Sequence, residues 1–268
     1  MDTHQYKRLM KRLNSMDDVK RIAQQSKDLD EELLFVIYTQ KVTRDATKHY
    51  YRVKHHIEKK HLKAWKSGKP LIKIAKEEDF PPTLIAFLLL RAKGVPRKEF
   101  WSMARNPEII KNKRIKKEME EVLKNDNIYS PEGSELQRIR GKVGESRLEK
   151  WLDSHGISYQ TEEDLRGKQA KTPDALLDKP VLINGWKTHW IESKAIFGDK
   201  VEIKRHIKKQ LVPYTDLFGP GIVVYWFGYV NDYKLPKDIR FLDAEHLEGA
   251  KVEPINQTRK RITGIRGT

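Results

Sequence analysis

The sequence predicts an α + α/β protein: helices over residues 1–130, a smaller domain over residues 134–255 whose elements run α, β, β, β, α, β, and a basic tail over residues 256–268. Three observations carry this division. Apolar residues up to about position 125 recur at helical spacing with little β signal. Ser130-Pro131-Glu132-Gly133-Ser134 is turn-forming punctuation between two helical patterns and reads as a linker. Beyond it the texture changes to short apolar runs and a tight-hairpin signal at Asn184-Gly185.

In the first region, Val19, Ile22 and Ala23 share a helical face. A long helical run then opens at Glu31-Glu32, acids in the favourable first turn, with Leu33, Leu34, Ile37 and Tyr38 as its apolar stripe. Tyr50, Tyr51, Val53, Ile57, Leu62 and Trp65 carry the pattern to Ser67-Gly68. A second unit follows: Leu71–Ala75, the breaker Phe80-Pro81-Pro82, and an apolar helix Leu84–Ala92 with Thr83 as N-cap and Gly94 as its stop. Helix, short turn and capped apolar helix have the shape of a helix-turn-helix or of an ordinary helical hairpin, and Lys69, Lys73, Lys76, Arg91, Lys93, Arg97 and Lys98 around it point toward nucleic acid. The histidines at 49, 55, 56 and 61 match no zinc spacing and read as a solvated basic face.

In the second region, Gly141–Ser154 reads as a helix with Val143, Leu148, Trp151 and Leu152 on its apolar side, stopped by Gly156. Ile157–Tyr159, Asp174–Leu177 with Val181–Ile183, and Trp186–Ala195 read as strands. Lys200–Leu217 is mostly helical, with Asp199 as its N-cap, and Gly221–Phe227 is an apolar strand buried on both faces. Pro213 inside the helical stretch predicts that the helix ends near Gln210 or is broken there.

Composition narrows the function classes. The 268 residues hold 54 Lys and Arg against 38 Asp and Glu, a formal charge of +16. Residues 1–133 hold 30 basic and 19 acidic residues, so the helical region is the stronger anchor for a polyanion. With no Cys, disulfides, thiolate metal sites and a cysteine nucleophile are excluded. No apolar run is long enough for a bilayer span and the N-terminus lacks a signal-peptide core, so a soluble intracellular protein is expected.

The chemistry concentrates in Thr172-Pro173-Asp174 and Ile191-Glu192-Ser193-Lys194. Strand alternation puts Glu192 and Lys194 on one face, and the 184–185 hairpin folds the chain so that Asp174 returns toward Glu192. Two converging carboxylates repel, and a hard divalent cation such as Mg²⁺ or Mn²⁺ relieves the repulsion. The Ser193 carbonyl is a candidate third ligand, and Lys194 a candidate to hold an attacking water beside a scissile phosphate.

Pro173-Asp174 followed by Glu192-Ser193-Lys194 resembles the PD-(D/E)xK motif of restriction-endonuclease-like nucleases, whose core has the same αβββαβ order. Within that resemblance Glu145 matches an additional acidic metal ligand, and Gln210 with Tyr214 matches the QxxxY element some members carry. Lys171–Asp174, His189–Ala195, Phe197–Asp199 and Phe218–Gly221 are similar to the archaeal and eukaryotic family named for its Thr-Pro-Asp (TPD) motif. The resemblance implies a metal-dependent nuclease domain behind helix-turn-helix modules. Its catalytic set would be Asp174, Glu192, Lys194, Glu145 and Gln210, with Asp174, Glu192, Ser193 and Glu145 on the metal.

The expected function is a DNA endonuclease acting on duplex or branched DNA, with a homodimer as a plausible assembly. A non-catalytic DNA-binding protein on a nuclease fold and an RNA-processing nuclease are the alternatives. Lys204, Arg205, Lys208 and Lys209 read either as a phosphate track or as a solvated helix face.

Overall fold

The computed structural model describes residues 1–255; the expected basic tail lies outside the described residues. The helices are α1 (Thr3–Arg12), α2 (Met16–Gln25), α3 (Glu31–His56), α4 (Leu62–Lys66), α5 (Leu71–Glu78), α6 (Pro82–Ala92), α7 (Arg97–Arg105), α8 (Lys113–Lys124) and α9 (Pro131–Ser154). Beyond α9 come β1 (Tyr159–Thr161), α10 (Glu162–Leu165), β2 (Ala175–Ile183), β3 (Trp186–Lys194), α11 (Lys200–His206), α12 (Val212–Phe218), β4 (Gly221–Tyr225), β5 (Ile239–Leu242), α13 (Ala244–Glu248) and β6 (Val252–Pro254). Two compact units divide the described residues: Arg8–Lys142, and Met1–Lys7 together with residues 143–255.

In the helical unit, the long run from Glu31 forms as expected. Asp30 caps α3 by accepting the Leu33 N–H at 2.7 Å, and a π-turn at Ile57–His61 joins α3 to α4 without a break. The π register turns His61 inward, where it is fully buried, which overturns its reading as solvated. His61 Nε2 donates to Glu78 Oε1 at 2.6 Å, His56 Nδ1 donates to the same carboxylate at 3.0 Å, and Arg52 Nη1 donates at 2.9 Å. Burial raises the Glu78 pKa, but the His61 and His56 hydrogen bonds outweigh it and hold the carboxyl below its ordinary value.

Two expectations about α6 need correction. Thr83 lies inside the helix, because Pro82 occupies the first turn, where a missing N–H costs nothing. The Thr83 N–H is taken instead by the buried Asp126 carboxylate at 3.0 Å, which also accepts from Ile128 and Tyr129. The second correction concerns exposure. Ile85, Ala86, Leu88, Leu89 and Leu90 are buried and no residue from 82 to 90 is exposed, so α6 is the core of its unit and offers no face to a groove.

Ser130–Ser134 is the start of α9, not a linker. The buried Ser130 hydroxyl accepts the Gly133 N–H at 3.0 Å, and Pro131 supplies a preset first helical φ. Leu148, Trp151 and Leu152 are buried as the spacing predicts, each worth about 2 kcal/mol of apolar burial. Val143, expected beside them, is 52% exposed.

The second unit is built on a six-stranded mixed sheet in the order β1-β2-β3-β4-β5, with β6 on β2. β1, β3 and β6 pair antiparallel with β2, while β3, β4 and β5 run parallel. The two segments expected at 174–177 and 181–183 are one strand with a register shift between Leu176 and Val181, where Pro180 cannot donate to the ladder. The Asn184-Gly185 turn has positive φ at both residues, as a two-residue primed hairpin requires. β4 is buried along its whole length. Gly221 is obligatory there, since a Cβ would lie 2.1 Å from the Trp190 ring.

Pro213 does not break the helix after β3. A π-turn at Ile207–Leu211 joins α11 to α12, and the Val212 N–H reaches back five residues to the Ile207 carbonyl. The wide turn makes room for the proline ring that an α register would drive into the preceding turn. The first residues of the chain also belong to this unit, which their position in sequence did not announce. Tyr6 stacks on Phe197 at 5.3 Å and its hydroxyl donates to Asp199 at 2.6 Å. Asp199 caps α11 as expected, accepting from Val201 at 2.8 Å and Glu202 at 3.0 Å.

Candidate active site

The register of β2 and β3 decides what meets at the sheet's edge of chemistry. Ala175 pairs with Ile191, so Asp174, one residue earlier, lies across from Glu192, one residue later. Like charges directly opposite are unfavourable, and the chain compensates only in part. The Ser193 N–H donates to Asp174 Oδ2 at 2.7 Å, the Asp174 N–H donates to Glu192 Oε2 at 3.3 Å, and the Lys194 ammonium donates to Glu192 Oε1. Glu192 is buried. Desolvation and then the Glu192 charge push the Asp174 carboxyl up to about 8, against the opposing pull of Lys194 and the Ser193 N–H.

Glu145 contributes to the same field: its charge also raises Asp174. It arrives on α9 through a close approach at Gly144, where a Cβ would lie 2.7 Å from the Trp226 ring and 3.2 Å from Ser193 Oγ. Trp226 Nε1 in turn donates to Ser193 Oγ at 2.7 Å, which ties α9, β3 and the end of β4 together. Gly144 was invisible as a site determinant in the sequence, because only the packed partner reveals what a side chain there would strike.

Tyr214 is buried on α12, stacks edge-on to Trp190 at 5.3 Å, and donates to the Thr172 carbonyl at 3.2 Å, bracing the segment that presents Asp174. Its phenol is pushed up, by burial first and then by Glu192 and Asp174. Gln210 touches neither carboxylate; it lines a cavity of about 380 Å³ with Lys194, Arg205, His206 and Lys209. His206 is the residue sequence reasoning missed. It is buried, its Nδ1 is 3.0 Å from the Tyr225 hydroxyl, and burial followed by the Lys194 and Arg205 charges lowers it to about 3.

Among the described residues, no three His, Cys, Asp or Glu side chains form a ready-made metal cage. The donor set still suits a hard cation. Mg²⁺ takes one or two carboxylates and keeps several waters, and a carboxyl whose pKa is raised by desolvation and then by its neighbour's charge is a place where added positive charge is favourable. Asp174 and Glu192 supply oxygen donors only, and Glu145 reaches Asp174 through its charge. No helix among the described residues is long and apolar enough to cross a membrane.

Three comparisons with known proteins place the chain. The family model described as "Protein of unknown function TPD sequence-motif" matches residues 111–246. Curated relatives carry the name CDAN1-interacting nuclease 1. Those of Danio rerio and Xenopus laevis are 34% identical over 170 residues, 60% of this chain and 57% and 56% of theirs. The Homo sapiens protein is 34% identical over 60% of each chain. The match thus spans less than two thirds of the relatives' length. No solved structure matches the chain.

Proposed function

We propose, from the premise that this chain belongs to the TPD sequence-motif family, that it is a divalent-metal-dependent nuclease of the PD-(D/E)xK type, acting on duplex or branched DNA. The observation that carries the reading is the cross-strand placement of Asp174 against Glu192 with Lys194 held on the same face. The order α9-β1-α10-β2-β3-α11-α12-β4, which is αβββαβ once the short α10 is set aside and α11 and α12 are taken as one helix, and the nuclease name of the relatives support it.

Asp174, Glu192, Glu145 and the Ser193 carbonyl would hold Mg²⁺ or Mn²⁺. When bound, the ion polarises a phosphodiester and acidifies a water. The chain's own residues do the rest. Ser193 N–H and Tyr214 fix the Asp174 segment, and Glu192 orients the Lys194 ammonium toward the water and the developing phosphate charge. In the helical unit, α7 replaces α6 as the groove-reading helix of a helix-turn-helix. Four residues containing Gly94 join it to α6, and Arg97, Lys98, Ser102 and Arg105 are exposed along it.

The test is cleavage of labelled duplex, splayed, flapped and four-way DNA, with an RNA control, in Mg²⁺ or chelator. Cleavage that needs the metal and falls at least about a hundredfold in both Glu192→Ala and Lys194→Ala is expected. Tight binding without cleavage of any substrate by any metal would overturn the enzymatic reading, and preferential cleavage of the RNA would move the substrate class.

A further inference from the structure

The cavity of about 380 Å³ beside the carboxylates is lined by Lys194, Arg205, His206, Lys209 and Gln210. Each of these side chains can donate a hydrogen bond, and none is an acid. Two of the cations are already matched, Lys194 by Glu192 and Arg205 by Glu202. Among the described residues Lys209 has no ion-pair or hydrogen-bond partner, so the cavity keeps an uncompensated positive charge together with an unused amide at Gln210.

The cavity also contains a built element. His206 is 7% exposed, held by the Tyr225 hydroxyl at 3.0 Å through Nδ1, with Arg205 Nη2 at 3.5 Å from Nε2. Burial, followed by the Lys194 and Arg205 charges, lowers the pKa of this ring, while the Glu202 carboxylate that pairs with Arg205 lies 3.9 Å from Nε2. The helix is shaped around the same cavity. In an α register, residues 205 and 210 point away from each other; the i to i+5 register of the π-turn at Ile207–Leu211 brings residues five apart onto one face. Arg205 and Gln210 therefore line one cavity.

We propose that this cavity binds a second, non-scissile phosphate group of the nucleic-acid substrate, with Lys209, Arg205 and Gln210 as positioning residues. That it is non-scissile rests on the nuclease reading, since Lys194 is shared between the cavity and the carboxylate pair. Binding of a phosphate by these five side chains does not. The phosphate is either a backbone diester or a terminal monoester, and both present anionic phosphoryl oxygens to cationic and N–H donors.

The experiment measures binding of 5′-phosphorylated and 5′-hydroxyl labelled oligonucleotides by the full chain, in chelator, across a salt series. Lys209 is exposed and unpaired, so Lys209→Ala removes one charge without removing a structural contact. It is expected to lower the slope of log K against log salt by about 0.7 to 0.9, the value of one phosphate contact, and Lys209→Arg restores it. Lys179→Ala, at an exposed position on β2, leaves the slope at the wild-type value. A loss seen only with the 5′-phosphorylated strand assigns the cavity to a terminal phosphate; a loss equal on both assigns it to a diester. With Mg²⁺ present, Lys209→Ala raises KM more than it lowers kcat. An unchanged slope in both Lys209→Ala and Arg205→Ala overturns the proposal even if cleavage is intact. A wild type that never cleaves leaves the salt series able to judge the cavity alone.

Discussion

Glu78 in the helical unit and Asp174 in the sheet unit are both carboxylates withdrawn from bulk water, and their surroundings answer that cost in opposite ways. Glu78 receives donors from Arg52, His56 and His61, and its pKa falls below the ordinary value. Asp174 faces Glu192, feels Glu145, receives one strong backbone N–H, and its pKa rises. The first carboxylate is compensated within the fold, whereas the second is left desolvated beside a like charge. A buried acid whose compensation is complete reads as structure, and one whose compensation is incomplete reads as a binding site.

The contrast breaks most sharply through stability. Glu78→Ala strips the fully buried His61 of its partner and is expected to cost about 3 kcal/mol, measured by chemical denaturation. A loss under about 0.5 kcal/mol would show that the network is incidental. Gly144→Ala comes next. Its methyl group meets the Trp226 ring, so about 2 kcal/mol of overpacking is expected. The same change shifts Glu145 relative to Asp174, so cleavage should fall with stability.

Asp174→Asn is the inverse of the Glu78 change and smaller. Removing one of two opposed charges is expected to raise stability in metal-free buffer by about 1 kcal/mol at pH 8 while abolishing cleavage. The pH dependence sharpens the comparison further. Between the ordinary Asp value of 3.8 and about 8, the folded chain holds a proton at Asp174 that the unfolded chain has lost, so stability from this group declines as pH rises through that window. The wild-type deficit relative to Asp174→Asn should therefore open between pH 4 and 8, and divalent metal should close it. Glu78 has the opposite sign: its contribution is complete at neutral pH and is lost as pH falls through its lowered pKa. A deficit that stays flat with pH would remove the electrostatic argument for a cation at Asp174.

Much of the site was legible in the sequence because its determinants are local. Strand alternation set Glu192 beside Lys194, Asn184-Gly185 set the hairpin that returns Asp174, and Asp199 is the cap its residue type implied. Where reading failed, a distant partner had intervened. Thr83 lies inside α6, whose cap position is Pro81, and its N–H goes to Asp126 from 43 residues away. A regular α-helix would put His61 on the surface and would end near Gln210 or break at Pro213, whereas the π-turns turn His61 inward and carry the later helix past the proline.

The sequence by itself determined the strand pattern, the hairpin and the Asp, Glu and Lys trio, since these follow from alternation, turn chemistry and residue type over a few positions. The tertiary structure alone decided that α6 is core, that Met1–Lys7 belongs with the sheet, that Gly144 admits α9 to Ser193, and that His206 is buried against the Tyr225 hydroxyl. Each of these depends on desolvation or close approach by residues far apart in sequence, and such energies exist only once the partners are packed.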